Sequence, residues 1–242
     1  MTHERHGSGS EKGDSPVFVL IHSPLVGTST WDAVVAELRI RGISTCVPVV
    51  RAVDEMGRPF WEQHVDAIEQ ELSQIADDRQ LVLVGHSGAG ALLPATGRAT
   101  RHHVAAYLFV DAGIPKDRES RLSRGPFADD IHQLYAAGGR YPSWTDEDLR
   151  ELVPDDGQRQ RLLAELCPPP LEFWDEAIPV FPGWPDAPCG YLRFVPNPAY
   201  DDAASEAKRR GWAYAELAGG HFHQLVDPAA VVTTLVDLAS QR

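Results

Sequence analysis

Apolar residues in this chain fall into short runs separated by stretches with helical spacing. Six runs, at 17–21, 44–50, 81–85, 105–111, 191–195 and 213–217, predict strands. Val17-Phe18-Val19-Leu20-Ile21 and Leu81-Val82-Leu83-Val84 show no polar alternation, the mark of strands covered on both faces at the centre of a parallel sheet. Between the runs, a helix is predicted over 31–38, capped by Thr28 or Ser29 and stopped by Gly42, with others over 60–76 and 227–239. Strands alternating with helices imply parallel strands joined by crossover helices. The expected architecture is a doubly wound α/β domain over 16–242 with a mainly parallel six-stranded sheet. Residues 115–188 break the rhythm with dense proline, charged helical patches and many aromatics, and read as a small helical cap inserted between the fourth and fifth strands. Placed at the carboxyl ends of the strands, such an insertion covers the crevice where these sheets bind ligands.

Composition narrows the function classes. A net charge of −13 removes the electrostatic attraction that binds nucleic acid or anionic lipid, leaving a small neutral or cationic substrate as the expected partner. No apolar run reaches the roughly 20 residues needed to span a bilayer, and residues 1–15 read as a polar, flexible leader with no signal-peptide stretch. Cys46, Cys167 and Cys189 are odd in number and lack metal-ligand spacing, and Cys46 falls in an apolar run that predicts a buried thiol. A reducing, cytoplasmic setting is the expectation, with neither metal nor cofactor. No surface stripe fixes an oligomeric state.

The sharpest local signal is Gly85-His86-Ser87-Gly88-Ala89-Gly90, following a buried strand and leading into a helix. A serine on such a turn is forced into a strained backbone conformation, so its neighbours must be small, and the helix start offers the Gly88 N–H to an oxyanion. His221, 134 residues later in Gly219-Gly220-His221-Phe222-His223, is the expected base, and His86 is expected to line the pocket or pack beside the nucleophile.

These motifs resemble the α/β-hydrolase superfamily, in the family's order, from Pro16 onward. The segment 17–22 resembles the strand entering the oxyanion loop, with Trp31 at the start of the next helix. Gly85 to Gly90 resembles the nucleophile elbow, with Ala89 where the fifth motif position is usually glycine. The strand ending in Asp111-Ala112 and the His221 loop complete the match, while the family's first two strands have no counterpart. The resemblance implies ester, thioester or lactone cleavage by Ser87 and His221. It also leaves open lyase, isomerase or cyclase relatives that use the pair for proton transfer, and non-catalytic binding relatives.

Two departures bear on mechanism. Asn197 stands where the family's orienting acid usually is, so Asp111 is the expected replacement, with Asp201 second and Asp202 also open. In His22-Ser23-Pro24-Leu25, the position that usually gives an oxyanion N–H is Pro24, which has none. The Leu25 N–H or the Ser23 hydroxyl is the expected substitute beside Gly88. Pro24, Trp31, Trp144, Trp174 and Trp184 are expected to form the pocket wall with His86.

Overall fold

The computed structural model describes residues 15–50, 57–116, 118–123 and 125–241. The leader expected over 1–15 lies, apart from Ser15, outside the described residues.

Strand β1 (Val17–Ile21) leads through a 3-10 turn (Thr28–Trp31) into α1 (Asp32–Ile40), followed by β2 (Thr45–Cys46) and α2 (Phe60–Leu72). Next, β3 (Leu81–His86) breaks into a 3-10 segment (Ser87–Leu92) and α3 (Leu93–Ala99), and β4 (Val104–Val110) follows. The chain then leaves the sheet for β5 (Glu119–Ser120), α4 (Gly125–Ala136), α5 (Asp146–Leu149), α6 (Asp156–Ala164), α7 (Leu171–Asp175) and β6 (Ile178–Pro179). It returns as β7 (Cys189–Val195), α8 (Asp201–Arg209), β8 (Ala213–Ala218), α9 (His223–Val226) and α10 (Pro228–Ser240).

Six strands form one sheet in the order β2-β1-β3-β4-β7-β8, with every neighbouring pair parallel. The short β5 and β6 pair antiparallel as a separate ribbon. Because side chains alternate across a strand, Val17, Val19, Ile21, Leu81, Leu83, Tyr107 and Phe109 pack on one face against Val65, Ile68 and Leu72 of α2. Phe18, Leu20, Val82, Val84, Leu108 and Val110 pack on the other against Val34 and Leu38 of α1 and Val231, Val232 and Leu235 of α10. Each such side chain taken from water contributes roughly 1.5–3 kcal/mol before entropy is counted. The continuous apolar runs therefore have the reason expected of them: both faces of these strands are covered.

Three local expectations are corrected. The strand over 44–50 shrinks to two residues, since β2 lies at the sheet edge and has one partner. Cys46 is half-buried, and burial pushes its thiol up to about 11. Neither Thr28 nor Ser29 caps α1, because Ser29 is taken by Glu165 at the end of α6, with its N–H donating at 3.1 Å and its hydroxyl at 2.6 Å. The expected stop at Gly42 stands, at φ +71°. Among the described residues, no helix is long and apolar enough to cross a membrane.

Candidate active site

The candidate site lies at the carboxyl ends of the central strands. Ser87 follows β3 directly and has φ +56°, a left-handed conformation that a serine adopts only when its surroundings hold it there. The restraint is close packing. A side-chain carbon on Gly85 would stand 3.1 Å from the Ala89 backbone, and one on Gly90 would stand 2.7 Å from the Gly113 carbonyl. Ala89, where the family's motif usually has glycine, is fully buried in the core. One on Gly88 would lie 2.9 Å from Leu122 and 3.0 Å from Ser23 Oγ, so glycine lets the loop after β1 close over the elbow.

Asp111 follows β4, also with a positive φ of +43°, and is fully buried. Its carboxylate accepts hydrogen bonds from Asn197 Nδ2 (2.5 Å) and His221 Nδ1 (2.7 Å) on Oδ2, and from the Phe194 N–H (3.3 Å) on Oδ1. Three donors offset much of the cost of holding a carboxylate out of water. Since His221 Nδ1 carries the proton in this pairing, Nε2 is left as the basic nitrogen.

His86 lies behind His221, with ring centroids 4.6 Å apart. Its Nε2–H donates to the His221 carbonyl at 2.8 Å, and its Nδ1 accepts from Gln224 Nε2 at 3.3 Å. Burial and the neighbouring His221 ring hold its pKa well below the usual histidine range, so it is neutral. His22, also buried, donates from Nδ1 to the Ser23 carbonyl (2.9 Å) and accepts the Val50 N–H on Nε2 (3.0 Å), fixing the loop after β1.

These groups border a cavity of about 300 Å³ whose lining includes Ser23, Leu25, His86, Ser87, Gly88, Asn197, Tyr200 and His221. The segment between β4 and β7 contributes Arg121, Leu122, Phe127, Tyr141, Trp144 and Trp174 to its wall. Two of the expected wall tryptophans, Trp144 and Trp174, are therefore in place. The other two are not. Trp31 is fully buried beside His86 with the α1 core, and Trp184 packs against Tyr107, Phe109 and Trp212 on the opposite sheet face from Trp31, outside the cavity lining. Pro24 stands beside the elbow, 3.7 Å from where a Gly88 side-chain carbon would sit, without lining the cavity.

Asp201 is also displaced from its expected role. It starts α8, exposed and paired with Arg193, where a helix N-terminus and a cation suit a carboxylate, and it makes no contact with His221. Asp202 beside it is exposed as well. The Leu25 N–H already points to Ser23 Oγ at 3.4 Å, leaving the Ser23 hydroxyl proton free to point elsewhere.

Sequence reasoning missed Tyr200. Its hydroxyl lies 3.2 Å from Ser87 Oγ and its ring stacks on His221 at 5.3 Å. Its place on the Asn197 loop, just past Pro198, was the available signal. Among the described residues, no group of three His, Cys, Asp or Glu side chains could hold a metal ion.

A family model described as the alpha/beta hydrolase family matches residues 18–234. No curated protein matches the chain in sequence. Among solved structures, an extracellular α/β-hydrolase from a Paenibacillus species is 20% identical over 93% of this chain and 100% of its own, with a TM-score of 0.73. Polyneuridine aldehyde esterase is 15% identical over 94% and 100%, at 0.70. Tomato methylketone synthase I, complexed with 2-tridecanone, is 13% identical over 93% and 98%, at 0.68. Identities this low carry the fold alone. With the elbow after β3, the loop after β8 and the helix-flanked parallel sheet all inside the matched span, this chain belongs to the alpha/beta hydrolase family.

Proposed function

We propose that this protein is a serine-dependent hydrolase of esters, thioesters or lactones of small, largely apolar molecules. One observation carries the reading: a strained Ser87 shares a cavity with His221, whose far nitrogen is held by a buried carboxylate. In this mechanism Ser87 Oγ attacks the carbonyl carbon as its proton passes to His221 Nε2, and the carbonyl electron pair moves onto oxygen. His221 then returns the proton to the departing alcohol or thiol. Water repeats the sequence on the acyl-enzyme and frees the acid. Asp111 keeps Nδ1 protonated and stabilises the imidazolium. The Gly88 N–H and the Ser23 hydroxyl receive the oxyanion, a second donor being worth about 2.7–4 kcal/mol. The aromatic and aliphatic wall fits an apolar acyl or alcohol group.

A second reading rests on Pro24. With no N–H at that position, the site is suited to chemistry that develops less charge on a carbonyl oxygen, such as lyase or isomerase proton transfer through Ser87 and His221. Several structural neighbours are named esterases, while methylketone synthase I holds a ketone. Water separates the two readings. In ¹⁸O-labelled water, the acid released from an ester panel is expected to carry one ¹⁸O, and only while Ser87 is present. Products formed without label would favour proton transfer.

A further inference from the structure

We propose that Tyr200 is a further catalytic residue of this site, its phenol donating a hydrogen bond to the reacting oxygen of Ser87; this rests on the reading of Ser87 as the nucleophile. The contact is direct, Tyr200 Oη to Ser87 Oγ at 3.2 Å. The contact allows either oxygen to donate, and the proposed mechanism sets the direction. Ser87 must give its proton to His221, so the phenol supplies the hydrogen of the Tyr200 contact.

The tyrosine is built to stay there. A 3-10 turn over Pro198–Tyr200, closed by the Tyr200 N–H on the Asn197 carbonyl at 3.2 Å, fixes its backbone. Its ring lies nearly parallel to the His221 imidazole, 13° between planes. Tyr200 is half-buried in the cavity lining, and burial pushes its phenol pKa up. Tyr200 therefore remains a neutral donor and does not compete with His221 as a base.

The bond counts most in the transition states. As the Ser87 O–H bond breaks and its proton moves to His221 Nε2, negative charge grows on Oγ before the Oγ–carbon bond is complete. A hydrogen bond to that charge is stronger than one to the resting hydroxyl, so it lowers the barrier more than the ground state. In deacylation the same oxygen departs with its electron pair and recovers a proton from His221. Tyr200 keeps its own proton throughout and assists both steps.

Tyr200→Phe removes the hydroxyl and keeps the ring. The rate of Ser87 phosphonylation by a fluorophosphonate is expected to fall about 10- to 100-fold, the usual size for one hydrogen bond to a charge. Ring-fluorinated tyrosines at position 200 keep the shape and strengthen the donor, so their rates are expected to rise with phenol acidity while the phenol stays protonated. This series also decides the case if Tyr200→Phe folds poorly. A Tyr200→Phe rate equal to or above wild type, or fluorotyrosine rates independent of acidity, overturns the inference. A wild-type protein that takes up no reagent overturns the nucleophile reading instead, and the role of Tyr200 falls with it.

Discussion

At the scale of single residues, the proposed acid Asp111 and the amide of Asn197 both stand beside His221. Asp111 holds His221 from the end of β4, while Asn197 occupies the loop after β7 and donates to the same carboxylate oxygen. Asn197 Nδ2 is also 3.4 Å from His221 Nδ1, so a carboxylate at position 197 could reach the ring. In Asp111→Asn the amide favours the wrong histidine tautomer, and turnover is expected to fall about 10⁴-fold. Adding Asn197→Asp in that background is expected to recover at least about tenfold of the loss, because a carboxylate again faces Nδ1. Kinetics on the two variants check this, and a double variant no better than Asp111→Asn would contradict it. The small residues around Ser87 and the two glycines before His221 marked both positions in the chain. Local pattern ranked Asp111 ahead of Asp201 without excluding either, and the fold brings Asp111 to the imidazole while Asp201 starts α8 beside Arg193. Trp31 and Trp184 illustrate the same limit, since a large ring is buried equally well in a core or a pocket wall.

At the scale of elements, the helices between β4 and β7 are fastened to the loop after β1. Glu165, ending α6, accepts two hydrogen bonds from Ser29, and the Cys167 N–H donates to the Leu25 carbonyl at 2.9 Å. Gly27 lies so close that a side-chain carbon there would overlap the Glu165 carboxylate. Removing the carboxylate strands Ser29 donors in a half-buried setting, at a cost of about 1–3 kcal/mol. Glu165→Ala is accordingly expected to melt about 2–10 °C lower, whereas exposed Glu172→Ala should melt as wild type; equal melting of the two would refute this fastening. Such a contact spans 136 residues and is invisible to capping rules, which is why the expected Ser29 cap did not form. Where local physics decides, the sequence was readable, as in the Gly42 stop and the helix expected over 227–239, which forms over Pro228–Ser240 with Asp227 accepting the Ala230 N–H at 3.0 Å.

At the scale of the whole molecule, the buried histidines tie stability to pH. His64 on α2 is 4% exposed, and burial, with the nearby His22, lowers it to about 4; His86 is lowered as well. Both are neutral when folded and titrate near 6.5 when unfolded. The stability they contribute is fully present above pH 6.5; that of His64 is lost as pH falls from there towards 4, by on the order of 3 kcal/mol, and His86 adds loss in the same direction. Urea unfolding midpoints are expected to drop across that window, and His64→Leu should flatten the slope; an equal slope in both would contradict the assignment. The two-faced core was legible because its strands carry unbroken apolar runs, whereas the site is assembled from five loops that the chain keeps far apart. The central claim is that this assembly activates Ser87, and intact-mass measurement after fluorophosphonate treatment tests it most directly. Wild type is expected to gain one adduct, and Ser87→Ala and His221→Ala none. An unmodified wild type, or a Ser87→Ala protein that labels equally, would contradict it.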